Sequence, residues 1–147
     1  MNKKGFTLIE LLVVIAIIGL LSTLAVVALS SARQKARDSK RLSDLKQVQT
    51  ALELYYTDNN GYPAASSVSL GTTNYKCLNS SGFAVQGCAS PYMGQVPLDP
   101  RNTGSYVYTY TSAASSTYSI QATLEGTVNG LTGTVYASPS GISTSST

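Results

Sequence analysis

The sequence predicts an α+β fold: one long N-terminal helix, membrane-spanning in its first half, packed in its second half against a small antiparallel sheet of about three strands. Three observations predict it. Gly5 to Leu29 (GFTLIELLVVIAIIGLLSTLAVVAL) is an apolar run with a single carboxylate, Glu10. Leu42, Leu45, Val48, Leu52 and Tyr55 then recur at helical spacing, with Ala51 and Tyr56 beside them. Farther on, Tyr106, Tyr108 and Tyr110 alternate with Val107 and Thr109, and Tyr118, Ile120, Ala122 and Leu124 alternate with Ser119, Gln121 and Thr123, the two-residue period of a half-buried strand.

From Phe6 the apolar run is about 24 residues long, or roughly 36 Å as a helix, against a bilayer core of about 30 Å. It is apolar on every face, whereas a core helix of a small domain carries one apolar stripe. Glu10 is the anomaly, because an ionisable side chain at membrane depth is costly and marks a functional position by default. The plainer alternative is a signal anchor with a tolerated acid near its end. No proline or glycine interrupts Leu20 to Asn60, so the helix is expected to continue from Ser30 to about Asp58. Its charged Asp38, Arg41, Lys46 and Glu53 fall mainly on other faces than the apolar stripe. Asn59-Asn60-Gly61, followed by Pro63, supplies the stop, with Gly61 as the residue suited to the left-handed conformation.

Tyr62 to Met93 reads as an irregular connection, with a short strand or helical turn at Val68 to Leu70 or Phe83 to Val85. The sheet follows: a strand over Tyr106 to Tyr110, a turn at Ser112 to Ser116, a strand over Tyr118 to Leu124, a turn-rich Gly126 to Gly133, and a last short strand at Thr134 to Tyr136. So small a sheet needs the helix face for stability. Ser138 to Thr147 is rich in serine and threonine and is expected to fray.

The chain has 10 basic and 7 acidic side chains, a formal charge of +3, unevenly placed. Arg33, Lys35, Arg37, Lys40, Arg41 and Lys46 cluster after the apolar run, while beyond Thr50 only Lys76 and Arg101 oppose Glu53, Asp58, Asp99 and Glu125. The neck is therefore basic and the head mildly acidic. The neck either pairs with acidic surfaces of other heads or is solvated; solvation is preferred, since exposed ion pairs contribute little. The absence of histidine, the scatter of the head's acids and the lack of a nucleophile motif argue against an enzyme. The many serines read as low-complexity spacing.

The stretch Lys3-Lys4-Gly5-Phe6-Thr7-Leu8-Ile9-Glu10-Leu11-Leu12 closely resembles the leader and cleavage site of type IV pilins and type II secretion pseudopilins. The resemblance implies a pilin-like fold and a division of the chain: 1–5 leader peptide, 6–29 transmembrane and filament-core helix, 30–60 amphipathic continuation, 61–137 globular head, 138–147 flexible tail. It implies that a prepilin peptidase cuts between Gly5 and Phe6 and methylates the new amine of Phe6. Glu10 matches the family's acid, which pairs with the N-terminal amine of a neighbouring subunit. An ordinary secretory signal has a shorter apolar region that is removed; here the apolar region stays. Gly19 matches the family's glycine. Many relatives carry a proline at the position of Val27, so local melting of the helix on assembly is not implied here, although Ser22 and Thr23 could loosen it.

Counting bases on the two sides of the run would place the C-terminal part in the cytoplasm. The resemblance implies the opposite, a head delivered outside. In an exported head, Cys77 and Cys88, the two cysteines of the chain, suggest one disulfide; two buried free thiols are the alternative. Val96-Pro97-Leu98-Asp99-Pro100 before the tyrosine-rich segment resembles a stretch of major secretion pseudopilins where acids and backbone carbonyls bind calcium. Asp99 alone carries over. Calcium takes six to eight oxygens, and 101–110 contains no second acid, so no metal site is assigned; Asp99 is a weak calcium candidate, and the alternative is a turn between two prolines.

The favoured function is a structural subunit of a type IV pilus or a type II secretion-like filament. The implied partners are copies of itself or other filament subunits, the prepilin peptidase, the inner-membrane assembly platform and, before assembly, membrane lipid. No cofactor and no nucleic acid are assigned. The implied location is the cytoplasmic membrane as a single-pass precursor, then an extracellular or periplasmic filament. The alternatives are a minor pilin whose tip binds DNA or a surface and, third, a membrane-anchored enzyme.

Overall fold

The computed structural model describes residues 5–85 and 87–145. Lys3 and Lys4 of the leader, and the last two residues of the tail, lie outside them. The chain divides into two compact units between Gln34 and Lys35. One helix, α1 (Leu8–Asn59), contributes to both; it runs unbroken through Gly19, Ser22, Thr23 and Val27, and the Thr23 hydroxyl donates back to the Leu20 carbonyl at 2.8 Å.

In the first unit every described residue from Gly5 to Arg33 is exposed. Its most apolar stretch reaches a mean hydropathy of 2.9 and is long enough to cross a membrane. Leucine, isoleucine and valine fill all its faces, as the residue pattern required.

The second unit, the head, pairs the rest of α1 with a five-stranded sheet of order β1-β4-β5-β6-β7 and a two-stranded hairpin, β2-β3. The strands are β1 (Ala65–Ser69), β2 (Cys77–Asn79), β3 (Gly82–Ala84), β4 (Thr109–Ala114), β5 (Thr117–Val128), β6 (Leu131–Ser138) and β7 (Gly141–Ser143). All pairings are antiparallel, with irregular register inside β1–β4, β4–β5 and β5–β6. Leu45, Val48, Ala51, Leu52 and Tyr55 of α1 form one core with Tyr108, Tyr110, Tyr118, Ile120, Ala122, Leu124, Val135 and Ala137. Both periodicities in the sequence are thus the two faces of one core.

The sheet has five strands where about three were expected. β4 starts three residues after Tyr106 and absorbs part of the expected turn, and β5 reaches Val128, beyond the expected stop at Leu124. A register shift between Thr123 and Thr127 lets β5 carry Gly126 without ending. β7 lies in the tail expected to fray. Its Ile142 pairs with Ala137, and Gln49 of α1 donates from Nε2 to the Ser138 carbonyl at 2.7 Å, which ties the turn after β6 to the helix. The helix stop also differs in detail: Asn60, not Gly61, takes the left-handed conformation (φ 55), its N–H donating to Tyr56 at 2.8 Å. Gly61 is needed for space, since a Cβ there would stand 2.9 Å from the Ser115 Cβ.

Candidate functional site

The first site is the start of α1. Thr7 precedes the helix, and its N–H and hydroxyl donate to Glu10 Oε2 at 2.8 and 2.7 Å. The Glu10 N–H returns a bond to Thr7 Oγ1 at 3.3 Å. This is a capping box, in which N-cap and N3 side chains satisfy each other's orphan donors. Thr7-Leu8-Ile9-Glu10 carries its S/T-x-x-E spacing, a signal the sequence reading passed over. Phe6, Ile9, Glu10, Val13 and Val14 line one shallow open groove, and Phe6 is 88% exposed. Phe6 and Glu10 therefore share a surface on which one carboxylate, oriented by its own helix end, sits among unpartnered apolar side chains.

The second site is in the head, around Arg41. The sequence placed Arg41 and Asp38 on solvated faces, yet they are 0% and 1% exposed. Arg41 grips Asp99 with a fork: Nε donates to Oδ2 at 2.7 Å and Nη2 to Oδ1 at 3.0 Å. Its Nη1 donates to Asp38 Oδ1 at 2.6 Å and to Glu125 Oε1 at 2.8 Å. Asp38 also accepts the backbone N–H of Glu125 and of Gly126, each at 2.9 Å, so it clamps α1 to the irregular stretch of β5. Arg37 forks onto Glu125 at 2.7 and 2.6 Å, and Arg101 stands 3.6 Å from its Oε2. The guanidiniums of Arg41 and Arg101 lie 4.9 and 4.3 Å from the centre of the Tyr106 ring, within cation–π range. One turn along, Lys40 reaches Asp44 at 2.8 Å, and Asp44 accepts the Tyr108 hydroxyl at 2.9 Å.

The charges set one another's protonation. Burial alone would push Arg41 down, but hydrogen bonds to Asp99, Glu125 and Asp38 hold it above its ordinary value. Burial would raise Asp99, and Arg41 with the Arg101 N–H outweighs it and lowers the carboxyl. Glu125 is held down to about 2, first by the Arg37 hydrogen bonds. Thus the basic neck is not simply solvated: Arg41 is buried among carboxylates, half-buried Arg37 pairs with Glu125, and Lys40 pairs with Asp44 at the surface. Asp99, the weak calcium candidate, faces Arg41, and it also shapes the turn after it by accepting the N–H groups of Arg101 and Asn102 at 2.8 and 3.4 Å.

Cys77 and Cys88 are joined in a disulfide. Cys77 begins β2 and is fully buried; Leu78 bridges to Met93, so the bridge pins the long connection beside the core.

Residues 1–26 match the family described as the prokaryotic N-terminal methylation motif, and residues 28–134 match type II secretion system protein G. The chain is 44% identical over 63 residues to the type II secretion system core protein G of Pectobacterium carotovorum subsp. carotovorum, covering 43% of this chain and 40% of that protein. It is 44% identical over 72 residues to the type IV wide pilus major component PilA4 of Thermus thermophilus, covering 48% and 55%. To the core protein G of Pseudomonas aeruginosa it is 30% identical over 129 residues, covering 82% and 84%. The chain spans less than half the length of the first relatives it matches. No solved structure matches it.

Proposed function

The chain belongs to the type II secretion system protein G family, and from that premise we propose that it is a structural subunit, cleaved after Gly5, N-methylated on Phe6 and polymerised into a filament through Phe6 to Leu29. One observation carries this reading: a helix exposed and apolar on every face, interrupted by one carboxylate beside the cleavage junction. Such a surface needs lipid before assembly and sister helices afterwards. Among the described residues nothing lies within 4 Å of a Cβ built on Gly5, which supports recognition by the prepilin peptidase as the role of glycine there. The assembly platform of the inner membrane is the further partner, and the head lies outside the cytoplasm.

Glu10 supplies register. In the membrane it sits at the helix end, its Oε2 held by Thr7. Among apolar neighbours in a filament its charge must be compensated. The Phe6 amine of an axially shifted copy is the group that does so, and other shifts leave a charge buried alone. The family consists of filament subunits, not enzymes. A DNA-binding tip is the less favoured reading, because Arg37 and Arg41 of the basic neck are paired with carboxylates of the head.

Mass spectrometry of sheared filaments tests the proposal. The mature chain is expected to begin at Phe6 carrying one methyl group. Filament material that retains Met1 would contradict it.

A further inference from the structure

The carboxylates around Arg41 come from three elements: Asp38 from α1, Asp99 from the loop before β4, and Glu125 from β5. Each of their six oxygens already faces an N–H or a guanidinium. Asp38 Oδ1 takes Arg41 and the Glu125 N–H, and Oδ2 takes the Gly126 N–H. Asp99 Oδ2 takes Arg41 Nε, and Oδ1 takes Arg41 Nη2 and the Arg101 N–H. Glu125 Oε1 takes Arg37 and Arg41, and Oε2 takes Arg37 with Arg101 at 3.6 Å. Arg37, Arg41 and Arg101 balance Asp38, Asp99 and Glu125 in charge. Calcium takes six to eight oxygen ligands, carboxylates among them, and here the guanidinium fork occupies the centre these carboxylates surround. Among the described residues no three acidic, cysteine or histidine side chains are grouped to hold a metal. The calcium ion that the family resemblance implies therefore does not fit these residues.

We infer that Arg41 is a resident cation, built into α1, that closes the junction between helix, loop and sheet, so that this head folds and stays folded without calcium. A planar fork suits the task because it binds one carboxylate bidentately and leaves a nitrogen for two more. A tethered cation cannot be lost by dilution, whereas a metal's stabilisation falls with its concentration. The chain would thus hold its head together in surroundings poor in divalent ions. The inference concerns the folding of the head and does not depend on polymerisation.

The test uses the full chain in detergent micelles, followed by the near-ultraviolet circular dichroism of its tyrosines, all of which lie at or beyond Tyr55. The melting midpoint of the wild type is expected to be the same in calcium, in magnesium and in a calcium chelator. A midpoint that falls in chelator and is restored by calcium, but not by magnesium, would overturn the inference. Arg41→Lys keeps the charge and loses the fork; its midpoint is expected to fall equally in all three media. Arg41→Ala is expected to lose its tyrosine signal in chelator, and a wild-type midpoint there would equally overturn the inference. Should Arg41→Ala fail to fold in every medium, the wild-type and Arg41→Lys arms decide on their own.

Discussion

Asp38 is the side chain whose loss bears most directly on how the helix holds the sheet. It is 1% exposed and accepts Arg41 at 2.6 Å and two β5 backbone N–H groups at 2.9 Å. Asp38→Ala removes the carboxylate that accepts both N–H groups and one of the three carboxylates that Arg41 faces. Removing one partner of a buried ion pair costs about 3–5 kcal/mol. Arg41 keeps Asp99 and Glu125, which pulls the value toward the lower end, and the loss of the side-chain acceptor facing the two N–H groups pushes it back toward the middle of that range. About 4 kcal/mol is the expected loss. Asp38→Asn, with one carbonyl oxygen in place of two carboxylate oxygens, is expected to lose about half of that. With a urea m-value of about 2 kcal/mol per molar, Asp38→Ala lowers the unfolding midpoint by about 2 M. The assay is urea unfolding of the detergent-solubilised chain, read by tyrosine fluorescence, with Asp58→Asn as the surface control; Asp58 is exposed and accepts the Tyr92 hydroxyl at 2.8 Å. An Asp38→Ala midpoint within error of the control would refute the claim that this clamp holds the head.

The same cluster predicts acid lability. Glu125 is lowered from 4.5 to about 2 and Asp99 lies below its ordinary 3.8. Their stabilisation is complete above pH 4.5 and is lost as pH falls toward 2, so the urea midpoint should be flat near neutrality and drop through that window; a flat profile down to pH 2 would count against it. Reducing Cys77–Cys88 should accelerate amide exchange over 77–93 while α1 keeps its protection, at a cost of roughly 3 kcal/mol on the chain-entropy model; unchanged exchange in that segment would show that the bridge does not pin it. Gly71→Ala should destabilise by at least about 1–3 kcal/mol, because Gly71 has φ +73 and a Cβ would stand 2.6 Å from the Pro97 carbonyl oxygen. Gly104→Ala, with φ +59 and open space around it, is expected to cost less, and equal losses would show that crowding is not the cause.

Much of this fold is legible in the residues. The apolar run is legible by its length, and the stripe from Leu45 to Tyr55 and the alternation from Tyr118 to Leu124 by their periods, whereas of the strand expected over Tyr106 to Tyr110 only Thr109 and Tyr110 lie in β4. The short strands are not legible, because β1, β2, β3 and β7 are three to five residues long and lie in glycine- and serine-rich segments where no period develops. The pairing of β1 comes from a partner far along the chain, Val68 with Tyr110, while β2–β3 and β6–β7 are hairpins too short to show a period. The Arg41 cluster is hidden for a related reason. Asp38 and Arg41 look like solvated helix charges until Asp99 and Glu125, 58 and 84 residues from Arg41, arrive on the same side. At the helix stop Asn60 takes the left-handed position, while Gly61 leaves room for Ser115, a contact made far along the chain that the local sequence does not announce. The Thr7–Glu10 cap is legible in the four residues Thr7-Leu8-Ile9-Glu10, whose spacing is that of a capping box.

That acid is where the assembly account is most exposed. The decisive measurement is the ratio of filament-incorporated to membrane-bound subunit for Glu10→Leu, expressed as the sole copy and again beside wild type, with Glu10→Gln in parallel. Glu10→Leu makes the helix more apolar, so it should insert and be cleaved normally. The account predicts that it enters filaments poorly as the sole copy, because the Phe6 amine of the neighbour then has no counter-charge, and that Glu10→Gln falls between it and wild type. A normal filament yield from Glu10→Leu as the sole copy would contradict the pairing of Glu10 with Phe6 and return Glu10 to a tolerated acid at a helix end.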